Sequence, residues 1–397
     1  MTPNLTSSDI RSGRLPLAGL LALATAGFIT ILTEALPAGL LPQMSRDFGV
    51  STARTGQLVT LYAMGSLIAA IPLTVATRRW RRRPLLLAAI GDFAVVNSIT
   101  AISTSYALTL VARFAAGVFA GLLWALLAGY ASRMAPAPLR GRAIAVAMVG
   151  TPLALSLGIP AGTFLGAVVG WRYSFGVMSF LSLILIGWVL GRVPDFPGQR
   201  LARPFSLVQV LALPGIREIL FVTLAFVLAH NVLYTYIAPF LVPAGIAGRI
   251  DVVLLVFGIA ALVSIWIVGV LIDQWLRELV LLSTLLFLLV AVILGLWGSA
   301  PLVIYAGVVL WGLAFGGAAT LFQTASSHAA GEAADVAQSM IVTVWNAAIA
   351  GGGSLGGLLL DGFGTAAFPW AVTGLLIPAL LVAWQAKRHG FSPSPCR

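Results

Sequence analysis

Residues 279–298 read Leu-Val-Leu-Leu-Ser-Thr-Leu-Leu-Phe-Leu-Leu-Val-Ala-Val-Ile-Leu-Gly-Leu-Trp-Gly, a stretch without a single charge. At about 1.5 Å per residue it makes a helix about 30 Å long, the thickness of a bilayer's hydrocarbon core. The apolar residues do not alternate with polar ones, so the segment is not a strand of a membrane barrel. Similar segments recur on both sides of it. Upstream lie 15–42, 54–77, 84–104, 107–132, 140–166, 172–192, 217–242 and 250–273; downstream lie 301–326, 334–360 and 366–386. The reading is an all-α integral membrane protein with twelve transmembrane helices.

Composition agrees. Of 397 residues, 60% are hydrophobic and 9% charged, against roughly 45–50% apolar and about 25% charged in soluble proteins. So little charge cannot cover the surface of a soluble enzyme, and it also excludes a disordered chain or a coiled coil. The one cysteine, Cys396, excludes a disulfide framework and a cysteine metal site. Polar residues 1–14 lead straight into a full-length span, so no cleaved signal peptide is expected.

The net charge is +11, and every basic side chain except Lys387 is an arginine. With both ends on one side, 18 basic residues fall in the loops of that side and four (Arg46, Arg54, Arg172 and Arg249) in the opposite loops. This bias places both termini in the cytoplasm and accounts for the positive charge without nucleic acid. Six spans end near Arg192 and six begin near Arg217. The proline-bearing stretch between them divides the chain into a first bundle (1–193), a cytoplasmic linker (194–216), and a second bundle with a short tail (217–397). Two nearly equal halves suggest internal duplication. Helix 4 carries Arg113, Gly117 and Gly121, and helix 10 repeats the small-residue spacing at Gly312 and Gly316 without the charge.

Four stretches carry a family resemblance. They are Thr33-Glu34-Ala-Leu-Pro37-Ala-Gly39-Leu-Leu-Pro42, and the Arg113, Gly117, Gly121 pattern. The third is Gly158-Ile-Pro160-Ala-Gly162 followed by Gly170-Trp171-Arg172, and the fourth is His230-Asn231 with Tyr234 and Tyr236. In these the chain resembles major facilitator superfamily transporters, within them the twelve-helix drug:proton antiporters, and most of all bacterial sugar-efflux, arabinose-efflux and chloramphenicol-resistance exporters. The resemblance implies two pseudo-symmetric six-helix bundles, alternating access, a small-molecule substrate, protons as coupling ion, a bacterial inner membrane and a monomer. The loop after helix 2 departs from the family pattern: Arg78 stands where that pattern has an acid, followed by Arg81, Arg82 and Arg83. The arginine run reads first as a topology anchor. The second copy keeps Asp273 and Arg277. By resemblance Asp273, Arg277, Arg82, Gly158, Pro160 and Gly162 belong to gating.

Ionisable groups inside a bilayer cost at least a few kcal/mol, which makes them functional candidates. Here they are Glu34, Asp92, Arg113 and His230. Glu34 lies roughly 12 Å and Arg113 roughly 10 Å below the outer ends of their helices. The resemblance puts both on cavity-lining helices, so the two are expected to interact, directly or through water, with Glu34 carrying a proton. Apolar burial favours the neutral acid and a guanidinium favours the carboxylate, so a change of state that alters either loads or releases the proton. A static pair joining helices 1 and 4 is the other reading. Asp92 is a second candidate proton site, or a hydrogen-bonding group on a peripheral helix. His230 and Tyr234, at i and i+4, share a face. With Asn231, Trp124, Trp311 and Gln323 they are the candidate substrate-binding residues, with plain packing as the alternative. No nucleotide loop, metal cluster, Ser/His/Asp arrangement or cofactor motif is present, so the chain does not read as an enzyme. Uptake by a facilitator or proton symporter, or a non-transporting receptor, remain the alternative functions.

Overall fold

The computed structural model describes residues 15–77, 79–136, 139–198, 206–387 and 390–391. Twelve helices run back and forth in it. They are α1 (Leu17–Phe48), α2 (Thr52–Thr77), α3 (Arg82–Ile102), α4 (Tyr106–Met134), α5 and α6 (Trp171–Arg192) in the first half. In the second half they are α7 (Ile216–Thr235), α8 (Ala247–Ile272), α9 (Gln274–Trp297), α10 (Pro301–Ala330), α11 (Ala334–Phe363) and α12 (Ala367–Gln385). Eleven are long and apolar enough to cross a membrane, and α2, with 26 residues, completes the set. Among the described residues there is no strand.

An even number of passes puts the start of α1 and the end of α12 at one end of the molecule, here called proximal. Exposed Trp80, Trp275 and Trp384 ring that end, and exposed Trp297, Trp370 and Tyr173 ring the distal one. These are the positions amphipathic rings take at the two faces of a bilayer. Helix α5 is composite. Arg140–Met148 and Gly150–Leu153 lead into a π-helical turn, Ala154–Gly158, and then Ile159–Val168, so the irregularity falls between Pro152 and Pro160. Helices α8 and α9 join without a loop across a bend at Trp275, whose backbone leaves the helical region.

The two halves repeat with a single step of 195 residues. A Cβ on Gly117 would fall on the Tyr62 carbonyl, and one on Gly312 would lie 2.6 Å from that of Phe257. Gly121 meets Ser66, and Gly316 meets Ala261, 195 residues on in both partners. Helix α4 therefore crosses α2 as α10 crosses α8, backbone to backbone, the contact small residues allow in lipid. Gly117→Ala should cost about 1–3 kcal/mol by overpacking. Gly269→Ala, which meets nothing within 4 Å, should cost little. Thermal unfolding in detergent compares the two.

Polar contacts tie the first half at both of its ends. Distally, the Asp47 carboxylate accepts from Trp171 Nε1 at 2.8 Å and from Arg172 Nη1, while Arg172 Nη2 donates to the Ser103 carbonyl at 3.2 Å. Proximally, Asp195 accepts from Arg81 Nε at 2.5 Å and from the Arg83 N–H at 3.1 Å. Burial raises the Asp195 pKa, but the Arg83 amide, the Arg81 hydrogen bond and the charges of both arginines outweigh it and hold the carboxyl below its ordinary range. This contribution to stability is complete above the ordinary carboxylate pKa and fades as pH falls through the depressed one. Asp195→Asn should flatten that acid limb of a melting-temperature-against-pH curve by a small amount, because Arg81 is exposed.

Candidate functional site

Arg113 enters the first half from α4, 1% exposed. A guanidinium in such a place needs acceptors for its donors, and main-chain carbonyls supply them. Nε donates to Leu58 O at 3.2 Å, Nη1 to Thr33 O, and Nη2 to Glu34 O at 2.9 Å. The cation also lies 4.9 Å from the centre of the Tyr62 ring. Tyr62 donates to Thr30 O at 3.2 Å, and Asn97 Nδ2 to Thr33 Oγ1 at 3.0 Å. One side chain thus joins α1, α2 and α4. Arg113 and Glu34 meet at the Glu34 backbone. Among the described residues the Glu34 carboxylate is in no ion pair within 4.0 Å. Glu34 as a whole residue is half-buried.

Facing it, the second half presents rings. His230 stacks on Phe315 with centroids 3.5 Å apart and on Tyr234 at 5.0 Å, with Trp311 at 5.2 Å and Phe257 at 5.7 Å. The i, i+4 pair on α7 does share a face. His230 Nδ1 and Trp311 Nε1 are buried without a hydrogen-bond partner. Asn231 and Asn346 donate their amide N–H to their own helices, at Val227 O and Val342 O.

The remaining candidates spread out. Asp92 lies mid-helix on α3 with Oδ2 buried and unpartnered. Trp124 is half-buried and packs over Gly27 of α1. Gln323 is exposed, and its carbonyl accepts from Gln338 Nε2 at 2.6 Å. Gly158 and Gly162 face Leu32 and Leu36 of α1, and Pro160 is buried between them. Arg277 donates to Ala383 O, Trp384 O and Phe391 O at the end of α12 and in the tail. Arg82 spends its main-chain N–H on Phe196 O at 2.9 Å. The side chain of Asp273 lies outside the described residues.

The halves meet at the distal end. Tyr236, just past α7, is fully buried and donates to Gly353 O of α11 at 2.8 Å and to Ala53 O of α2 at 3.3 Å. Its ring occupies a socket where a Cβ on Gly56 would collide with it. Gly353 abuts Thr60, and Gly258 of α8 abuts Ser156 of α5. Toward the proximal end, along one stripe of α2, exposure rises from 2% at Thr60 to 38% at Met64 and 57% at Ile68. On α5 the stripe from buried Ser156 continues into exposed Leu153 and Val149. Sequence reasoning missed Tyr62 and the socket role of Tyr236, because both depend on contacts between distant segments.

A family model for the Major Facilitator Superfamily matches residues 23–353. A probable sugar efflux transporter of Mannheimia succiniciproducens is 27% identical over 371 residues, 92% of each chain. The crystal structure of a D-xylose-proton symporter superposes with a TM-score of 0.77 at 16% identity, over 96% of this chain and 97% of that one. The protein is a multi-pass membrane transporter of small solutes, not an enzyme, and it belongs to the Major Facilitator Superfamily.

Proposed function

We propose that this transporter exports a small neutral, hydroxyl-bearing solute from a bacterial cytoplasm in exchange for protons, and that Glu34 carries the proton. One observation carries the reading: Arg113 gives three of its five N–H donors to main-chain carbonyls, Glu34's own among them, while the Glu34 carboxylate is outside an ion pair among the described residues. Such a group can gain and lose a proton without the helices around it coming apart. The unpartnered nitrogens of His230 and Trp311, set among rings, suit a substrate that stacks a C–H face and offers hydroxyls. Export is supported by the name of the Mannheimia relative. The positive-inside bias supports an orientation with both termini in the cytoplasm of an inner-membrane protein. On that orientation the sealed distal end faces outward, and the described state opens to the cytoplasm.

The test uses inside-out vesicles with an imposed pH gradient and radiolabelled D-xylose, L-arabinose and chloramphenicol as probes. Acidifying the lumen should drive accumulation of one of them there. Accumulation only when substrate and protons run in the same direction would establish the symport reading, which the name of the structural neighbour favours.

A further inference from the structure

The chain between α2 and α3 and the chain between α8 and α9 are two copies of one element. The step of 195 residues that relates Tyr62 to Phe257 and Gly117 to Gly312 relates them too. Trp80 corresponds to Trp275, and both rings are exposed at the proximal end. Arg82 corresponds to Arg277, and their acceptors correspond as well: Phe196 O takes the main-chain N–H of the first, Phe391 O the guanidinium of the second. Arg192 corresponds to Lys387, at or just past the end of the last helix of each bundle. The other charged positions do not repeat. Arg78, Arg79, Arg81 and Arg83 stand where the second copy has Asp273, Gln274, Leu276 and Glu278. Residues 78–83 thus hold five arginines and no acid, a charge of +5, whereas residues 273–278 hold one arginine and two acids, a charge of −1.

The second copy shows what the fold needs at this place: a tryptophan at the membrane face and one arginine bonded to the segment that follows its bundle. Four of the arginines in the first copy exceed that need. Orientation does not call for them either. Without these four the proximal loops still hold 14 basic residues against the four distal ones. Asp195 meets the run at Arg81 Nε and at the Arg83 N–H. Even so, the Arg81 side chain is 71% exposed, and Arg79 is exposed and in no ion pair among the described residues. Guanidinium forks match the oxygens of a phosphate, and an exposed indole beside them sits at headgroup level. We propose that the loop after α2 is a binding surface for the headgroups of anionic phospholipid, built from Arg79, Trp80 and Arg81, and that the loop after α8 is not. The two bundles are then unequal toward the membrane: the first is held to anionic lipid at its proximal end, and the second is not. Lipid binding at this loop is independent of the solute carried and of the direction of transport.

Native mass spectrometry of the full chain in detergent, titrated with dioleoylphosphatidylglycerol or dioleoylphosphatidylcholine, counts the bound lipids and gives their affinities. The wild type should hold phosphatidylglycerol about tenfold or more tightly than phosphatidylcholine. Arg79→Gln combined with Arg81→Gln should weaken phosphatidylglycerol about 10- to 30-fold and leave phosphatidylcholine unchanged. Asp195→Asn loses the same ion pair but keeps the cations, so it should bind phosphatidylglycerol at least as tightly as the wild type. Gln274→Arg combined with Glu278→Arg places exposed cations on the second copy and should add one tightly held phosphatidylglycerol. Equal phosphatidylglycerol affinity in the wild type and the double glutamine variant overturns the proposal. Weakening in Asp195→Asn as large as in that variant would put the effect down to the lost ion pair and overturn it also. So would a second copy that gains its arginines and no lipid. Millimolar inorganic phosphate should leave the bound lipid in place; displacement would make the loop a site for a soluble anion and overturn the lipid assignment.

Discussion

Glu34→Gln is expected to abolish proton-driven accumulation while sparing exchange of labelled for unlabelled substrate. Glutamine keeps the size and polarity of the side chain and leaves the backbone carbonyl that accepts from Arg113 in place. The grip of Arg113 on α1, α2 and α4 should therefore survive, and the melting temperature should move little. What disappears is a site that binds a proton in one orientation and gives it up in the other. A proton crossing with the membrane potential carries about 2.3 kcal/mol per 100 mV, enough for concentration ratios of several tens. The variant should bring that ratio to about one, because a carrier without a coupled ion can only equilibrate. Accumulation that stays above unity and still collapses with a protonophore would show that the proton rides elsewhere, with Asp92 the next candidate. Arg113→Lys should act differently. An ammonium cannot span three carbonyls on two helices, so that variant should lose stability as well as coupling.

Gly56→Val should prevent the distal end from sealing. The Tyr236 ring fills the space a side chain at position 56 would take, and that ring also bridges α2 and α11 through its hydroxyl. Overpacking of about 1–3 kcal/mol in the sealed state alone shifts the balance between states by roughly 5- to 150-fold. Turnover should fall by about the same factor, because every cycle passes through the sealed state. A cysteine at position 60, 2% exposed beside Gly353, reports the change independently. In the Cys396→Ser background it should resist a membrane-impermeant maleimide added outside, and react once Gly56→Val is present. Unchanged protection together with normal turnover would remove Tyr236 from the seal.

Helix number and span boundaries were legible because lipid imposes length and hydropathy on every crossing segment independently of its neighbours. The repeat was legible only where glycine spacing recurs, at Gly117/Gly121 and Gly312/Gly316; its reach to the chain's end needed the partners of Phe196 and Phe391. The ionisable residues stood out by rarity, but their pairing did not. Glu34 and Arg113 sit at comparable depth on neighbouring helices, yet the guanidinium takes backbone acceptors, which every residue offers and no pattern of side chains reveals. The arginine run after α2 read as a topology anchor; that Arg81–Arg83 also hold Asp195 and Phe196, more than a hundred residues away, needed the fold.

Arg113 is held by neutral carbonyls, so its charge is a constant of the machine. On the proposed cycle Glu34 and Arg113 together carry a net charge of +1 when Glu34 is protonated and zero when it is not. A voltage, negative inside, acts on the first form and is indifferent to the second. The proton-bearing reorientation would then be the electrogenic leg, and the leg carrying a neutral solute outward would be voltage-silent. Membrane potential alone, with no pH difference, should suffice to run the exporter.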